Sequence, residues 1–394
     1  MGLLLVIYGV ISLWAERVSS ASNATSPRIC EFLLCGVVST DSPTSFTSPV
    51  DKPLKQAQLD LTLNPASAYR WADLGEAEIN ANKVDAARFC VRQALASAPG
   101  NPAILFRGAN IYLRMEDYPA AMKNLMAVLR NPDLADYYDP VFRLYSQMDM
   151  PLTSLLNEGL PRTQPAANAF LRFWINQNRQ EEAETTWTWI NQNSLTSVQS
   201  AGSYVALLAK DARWDEAMQS WGDYTARLDT SYNRTNWIYN GNFEMKPVDC
   251  PFDWHFAPQD TVDIAPDNEQ TYKGEVSLRL RYTGAPKEPE AQVYQMVLLK
   301  PGKWMIRGAM KTQALTGEQG VVIRVVDAED PTQLDVSTNT FQGTQEWTGI
   351  SKKFEVGAKT RLARVEIVRP PAPDLNIRLT GKVWIDAVEL APVL

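Results

Sequence analysis

Chemistry in this 394-residue chain has to be built with a single histidine, His255. That excludes multi-histidine metal centres and leaves a Ser/His or Cys/His nucleophile pair with one base to draw on. The four cysteines are Cys30, Cys35, Cys90 and Cys250. Cys90 lies inside a helical pattern and reads as a buried small hydrophobe. Cys30 and Cys35, in "ICEFLLCG", stand close enough to bridge in an oxidising compartment, although spacing alone does not set the geometry. There is no Gly-rich phosphate loop, no G-x-S-x-G elbow and no H-E-x-x-H. A glycosidase needs two carboxylates about 5–10 Å apart across a cleft, and no spacing here pairs them. The chain reads as a non-enzyme. One carboxylate stands out by position: Glu244 in "NGNFE", where a helix-rich sequence turns strand-rich.

The elements that must position such residues fall into two halves. Before residue 228 the apolar period is helical, and a repeat is visible. "WADLGEAEINANKVDAARFCVRQALASAP" places Trp71, Leu74 and Gly75 ahead of Ala87, Ala94 and Pro99. The next segment repeats this with Leu105, Gly108, Ala109 and Tyr112, then Ala121, Leu125, Val128 and Pro132. Ala183 and Ala217 continue it, each four residues before a Trp. The middle repeat, between Ala121 and Ala183, is degenerate. The pattern resembles the tetratricopeptide (TPR) repeat over residues 54–228, which implies stacked helical hairpins whose concave surface takes a protein partner. A rigid spacer is the plainer alternative.

After Asn240 the period becomes 2, as in "SLRLRY", "KWMIRGAM", "VVIRVVD" and "KVWIDAVEL", with turn signals between the runs. Several short strands over residues 238–394 indicate an all-β antiparallel sandwich. "NGNFE", "YKGEVSLRL", "VLLKPGKW", "EWTGISKKFEV" and "VWIDAVEL" together resemble the jelly-roll carbohydrate-binding modules of bacterial glycoside hydrolases. The fold class is therefore multidomain: an all-α helical-hairpin, TPR-like array followed by an all-β jelly-roll sandwich. The resemblance implies a structural calcium ion joining the first and last strands. Glu244 and Asp386 would supply its carboxylates, with backbone carbonyls near Lys273 completing the oxygen shell. This chain has Ala387 where such modules more often carry a second acidic residue.

The same resemblance implies glycan binding. Sugar rings present an apolar C–H face that stacks on aromatic side chains. Trp304 shares a face with Ile306 and reads as core, whereas Trp254 in "PFDWHF" and Trp347 in "TQEWTG" flank turns and are the expected platforms. Arg279, Arg281, Arg307 and Arg324 fall on the faces opposite the apolar positions. Clustered on one sheet they would favour an acidic polysaccharide, because guanidinium forks match carboxylates. Paired with strand carboxylates they would be structural.

Residues 1–20 carry an uncharged apolar run from Gly2 to Ala15, followed by small residues suited to signal cleavage. They read as a signal peptide or membrane anchor that directs export to the cell envelope, and residues 21–53 as a Ser/Thr/Pro-rich linker. A formal charge of −7 and a pI near 5.1 argue against nucleic-acid binding. The expected function is a non-catalytic envelope adaptor, gripping a protein with its array and a glycan with its sandwich. A purely structural protein–protein scaffold is the alternative.

Overall fold

A computed structural model describes residues 54–394 except 149, 249, 258–259, 285–292, 317–319, 371–378 and 394. The signal or anchor, the linker and the Cys30/Cys35 pair lie outside the described residues. No described helix is long and apolar enough to cross a membrane. The chain divides into two compact units, one ending at Leu195 and one beginning at Thr196.

The first unit is a run of helical hairpins. After α1 (Leu54–Leu63) come α2 (Ala68–Asn80) with α3 (Val84–Ser97), and α4 (Pro102–Arg114) with α5 (Tyr118–Leu129). Farther along are α6 (Tyr138–Gln147) and the pair α7 (Gln164–Asn176) and α8 (Gln180–Gln192). Starts are set by side-chain caps: Ser67 accepts from the Arg70 amide, Asn101 from Ala103 and Ile104, and Asp117 from Ala120. The small positions do what the spacing implies. Ala87, Ala121 and Ala183 are fully buried, and a Cβ at Gly75 would press on Ile111 at 3.2 Å and Cys90 at 3.4 Å. Inside the hairpins the chain reverses through a left-handed residue, Asn82, Glu116 or Asn178, each five positions before one of those alanines. The middle repeat is indeed degenerate. The partner of α6 is one short turn, Leu152–Ser154, running into a π turn at Leu155–Gly159. There the Tyr145 hydroxyl donates to the Gly159 carbonyl at 2.7 Å.

The second unit starts with one more hairpin, α9 (Val198–Lys210) and α10 (Trp214–Thr225), capped by a Ser197/Ser200 box and turned by Ala212. The expected boundary near 228–238 therefore falls inside this unit. Its physical basis is aromatic. Trp221, fully buried, meets Tyr239 edge-on at 5.1 Å, Tyr239 meets Tyr232 at 5.4 Å, and Trp214 meets Phe252 at 6.3 Å. Arg361 of the sandwich also pairs with Asp215 of α10.

Ten strands follow: β1 (His255–Phe256), β2 (Val262–Asp267), β3 (Ser277–Gly284), β4 (Val293–Leu298), β5 (Gly302–Leu315), β6 (Val322–Asp327), β7 (Asp335–Ser337), β8 (Gly343–Val356), β9 (Leu362–Val368) and β10 (Leu379–Pro392). They form two five-stranded antiparallel sheets, β1-β4-β9-β6-β7 and β2-β3-β10-β5-β8. The period-2 apolar positions meet between them. Leu278, Leu280, Tyr282, Trp304, Ile306, Met310, Val365, Ile367, Val383 and Ile385 all belong to one core.

Candidate functional site

Each sheet turns a second face away from this core, and these two faces carry the charged side chains. On the second sheet, register brings Asp263, Arg281, Lys382 and Gln313 into one row across β2, β3, β10 and β5. The next row is Ala265, Arg279, Trp384 and Lys311. Arg279 reaches Asp263 at 3.3 Å and Asp267 at 3.5 Å, and Lys311 reaches Glu346 at 2.7 Å. Arg307 pairs with Glu389, its cross-strand neighbour. Trp384 is buried yet stands outside the main core. Its indole N–H donates to Asp267 at 3.0 Å, and the Lys382 ammonium lies 5.8 Å from its ring centroid. Trp347, half-buried, meets the ring of Tyr272 at 5.6 Å.

Glu244, Lys273 and Asp386 do come together, around the turn at 272–276. Asp386 accepts the amides of Tyr272 (2.9 Å) and Lys273 (2.8 Å) on one oxygen and that of Ala387 (2.6 Å) on the other. Glu244 Oε1 accepts the amides of Glu275 (2.7 Å) and Val276 (3.1 Å). Gly274, at φ +84°, leaves the gap the Glu244 carboxylate fills, since a Cβ there would sit 2.0 Å from Oε1. Burial, joined by the Glu244 charge, raises the Asp386 carboxyl above its ordinary value against the pull of its three amides. Five N–H dipoles thus point at the oxygens that would coordinate calcium, an ion that takes about six to eight oxygen ligands. Ala387 supplies none, and among the described residues no group of three or more His, Cys, Asp and Glu could hold a metal. The set forms a carboxylate–amide clamp.

Trp254 is not a platform. It is 1% exposed, its indole N–H donates to the Asn240 carbonyl at 2.9 Å, and its ring lies 5.2 Å from that of Phe243. The irregular segment around it folds inward to close the core, so a position beside a turn misleads. The arginines do not share one sheet either. Arg279, Arg281 and Arg307 are on the second and Arg324 is on the first.

The first sheet holds an arrangement that linear reading missed. Register aligns His255, Tyr294, Glu366, Arg324 and Ser337 across β1, β4, β9, β6 and β7. Glu366 is 1% exposed although it points away from the core. Arg324 reaches it at 3.3 Å while also pairing with Asp335 at 2.8 Å, and Arg364 approaches its Oε1 at 2.6 Å. That last approach lacks hydrogen-bond alignment, so Glu366 Oε1 accepts no hydrogen bond. The Arg364 guanidinium lies 5.4 Å from the Tyr294 ring centroid, and the His255 ring meets that ring tilted by 40° at 4.8 Å. The result is a half-buried aromatic ring beside a buried carboxylate that holds two cations in place. Such a combination can orient a hydroxyl-rich ring.

In the helical unit the polar contacts between α2 and α4 are paired. Arg107 bonds Asp73 and Glu76, each at 2.8 Å, Asn101 bonds the Tyr69 hydroxyl at 3.1 Å, and Arg114 bonds Asn80 at 2.6 Å.

No protein-family model matches the chain, and no curated protein matches it. Among solved structures, a family 4 carbohydrate-binding module is 12% identical, spanning 40% of this chain and 99% of its own, with a TM-score of 0.29. A family 22 xylan-binding domain from Paenibacillus barcinonensis is 18% identical over 39% and 92%, with a TM-score of 0.28. PilF of Pseudomonas aeruginosa is 17% identical over 45% and 86%, with a TM-score of 0.23. These are distant likenesses of fold.

Proposed function

We propose that this chain is a non-catalytic adaptor whose sandwich binds a glycan and whose helical hairpins bind a protein. The single observation that carries the glycan half is the half-buried Tyr294 ring with the Arg364 guanidinium 5.4 Å from its centroid, where Arg364 and Arg324 are both held by the buried Glu366 carboxylate. Burying a carboxylate between two arginines costs desolvation that an apolar residue would avoid, and here it fixes two guanidinium groups on the sheet face. A sugar ring laid on Tyr294 would offer its hydroxyl oxygens to the guanidinium N–H groups of Arg364 and Arg324. The protein half rests on the hairpin repeat, whose stacking builds an extended surface with no chemistry of its own. The apolar run at residues 2–15 supports an envelope location.

Calorimetry of the full chain against a panel of neutral polysaccharides tests this reading. Dissociation constants of roughly micromolar to millimolar are expected, with about tenfold loss in Tyr294→Ala and in Glu366→Gln variants that keep their fold. Heat from no neutral polysaccharide, or neutral-polysaccharide binding unchanged in both variants, removes the first-sheet site, and heat from no polysaccharide at all leaves the structural-scaffold reading. The exported location is tested by fusing residues 1–60 to a reporter active only outside the cytoplasm. A silent reporter removes it.

A further inference from the structure

The second sheet carries a different arrangement on the side of the sandwich opposite Glu366. Arg281 and Lys382 are directly opposite in the β3–β10 register, and among the described residues neither has an ion-pair partner. Like charges facing each other across strands destabilise a sheet, and Asp263, next in the row, is taken by Arg279. Lys382 and Arg279 flank the buried Trp384 ring. Beyond Trp384 on the same face lies Asp386, whose carboxylate fixes the Tyr272 amide and so positions the Tyr272 ring on Trp347. At 53% exposed, Tyr272 is the one exposed large hydrophobic among the described residues of the sandwich. Lys382 and Asp386 are four residues apart on one strand, about 13 Å at the rise of a β-strand.

We propose that this face is a second binding site, for an acidic polysaccharide. Its sugar rings would stack on Tyr272 and Trp347, and its carboxylates or sulfates would meet Arg281 and Lys382. The separation suits an oligomer rather than a single sugar. The exposed apolar surface is one pair of rings, which fits a saccharide better than a protein interface with its larger apolar centre. Asp263 and Glu346 interrupt the cations and break any continuous basic track for nucleic acid. Asp386 acts here as a positioning residue.

The test uses the full chain with polygalacturonate, its methyl-esterified form and poly-glutamate as probes, read by calorimetry at low and high salt. Polygalacturonate should bind at low salt, weaken as salt is raised, and exceed the methyl ester by about tenfold or more. Arg281→Gln/Lys382→Gln should remove that preference, Tyr272→Ala should weaken binding, and Glu366→Gln should leave it unchanged. The Glu366→Gln arm separates this site from the first-sheet site, so either can fail alone. The proposal is overturned by no binding to polygalacturonate, by equal binding of the methyl ester, by equal binding of poly-glutamate, or by wild-type affinity in the double variant. Circular dichroism of each variant establishes that a loss is not unfolding.

Discussion

The helical hairpins and the sandwich both bring backbones close at a buried glycine, and they do it differently. In the hairpins, a Cβ added at Gly75 would meet the Ile111 Cδ1 at 3.2 Å and the Cys90 Cβ at 3.4 Å. Those are side chains, one of them the end of a flexible one. In the sandwich, a Cβ at Gly241 would lie 2.0 Å from the Val388 carbonyl oxygen, because the Val388 amide donates to the Gly241 carbonyl at 2.8 Å. A repeat array can yield at each joint, since every hairpin answers only to its neighbours. The sandwich shuts its first segment against its last strand, backbone on backbone, and has nothing there to give.

The sharpest way to break that contrast is Gly241→Ala. It should destabilise the sandwich by about 3 kcal/mol or more, because neither backbone can retreat without losing its hydrogen bond. Chemical denaturation of the full chain measures it, and a loss under about 1 kcal/mol would show that the closure has slack.

Carboxylates withdrawn from water are compensated by cations in some places and by amides alone in another. In the hairpins Asp73 and Glu76 are neutralised by Arg107. In the sandwich Asp253, 2% exposed, has only the amides of Val248 and Trp254. Burial pushes its carboxyl up to about 6, against the pull of those amides. A folded value above the unfolded one, about 3.9, means that the folded state binds more protons. Stability therefore rises as pH falls from about 7 toward 4, by about 3 kcal/mol in total. Asp386, also raised, adds in the same direction. Asp117, Asp267 and Asp335 lie below their ordinary values, so their stabilisation is lost only on further acidification below about 4. Melting temperatures between pH 7 and 5 should rise in the unmutated protein and stay flatter in Asp253→Asn. A monotonic fall over that range contradicts the assignment.

How far the fold could be read in advance follows from how local its signals are. The repeat is carried by residues within one hairpin, Gly75 with Ala87 and Gly108 with Ala121, so the hairpins were visible. The alternation that put Leu278 and Leu280 inward put Arg279 and Arg281 outward, as found. The Glu366 site was not visible, because Tyr294 and Glu366 meet only through the β4–β9 register, which no short motif encodes. The unit boundary was hidden similarly. Trp221 reads as ordinary hairpin core until its contact with Tyr239 is known. Trp254 failed where neither period applies, in a segment with too little regular strand to say which way a ring points.

A milder probe of the same contrast is Gly75→Ala. The shift asked of Ile111 is offset by the helix propensity of alanine over glycine, about 1 kcal/mol, so the net change should stay within about 1 kcal/mol of zero. A loss comparable with that of Gly241→Ala would mean that the hairpins are as unyielding as the sandwich.

The smallest expected effect is none: chelation should leave the melting temperature unchanged. A ligand that binds only the folded state stabilises it in proportion to the logarithm of one plus its concentration over its dissociation constant, so a bound calcium ion must show as a drop when removed. At the Glu244–Asp386 pair the oxygens already accept five backbone N–H groups, and each such dipole presents its positive end where a cation would sit. An ion would have to displace donors that hold the Tyr272–Val276 turn in place. Asp386→Ala should still lower the melting temperature, with or without chelator, since it leaves the Tyr272, Lys273 and Ala387 amides without their acceptor. A melting temperature that falls with chelator in the unmutated protein, and no longer does so in Asp386→Ala, would put the ion back and make the amide clamp its coordination shell's second role.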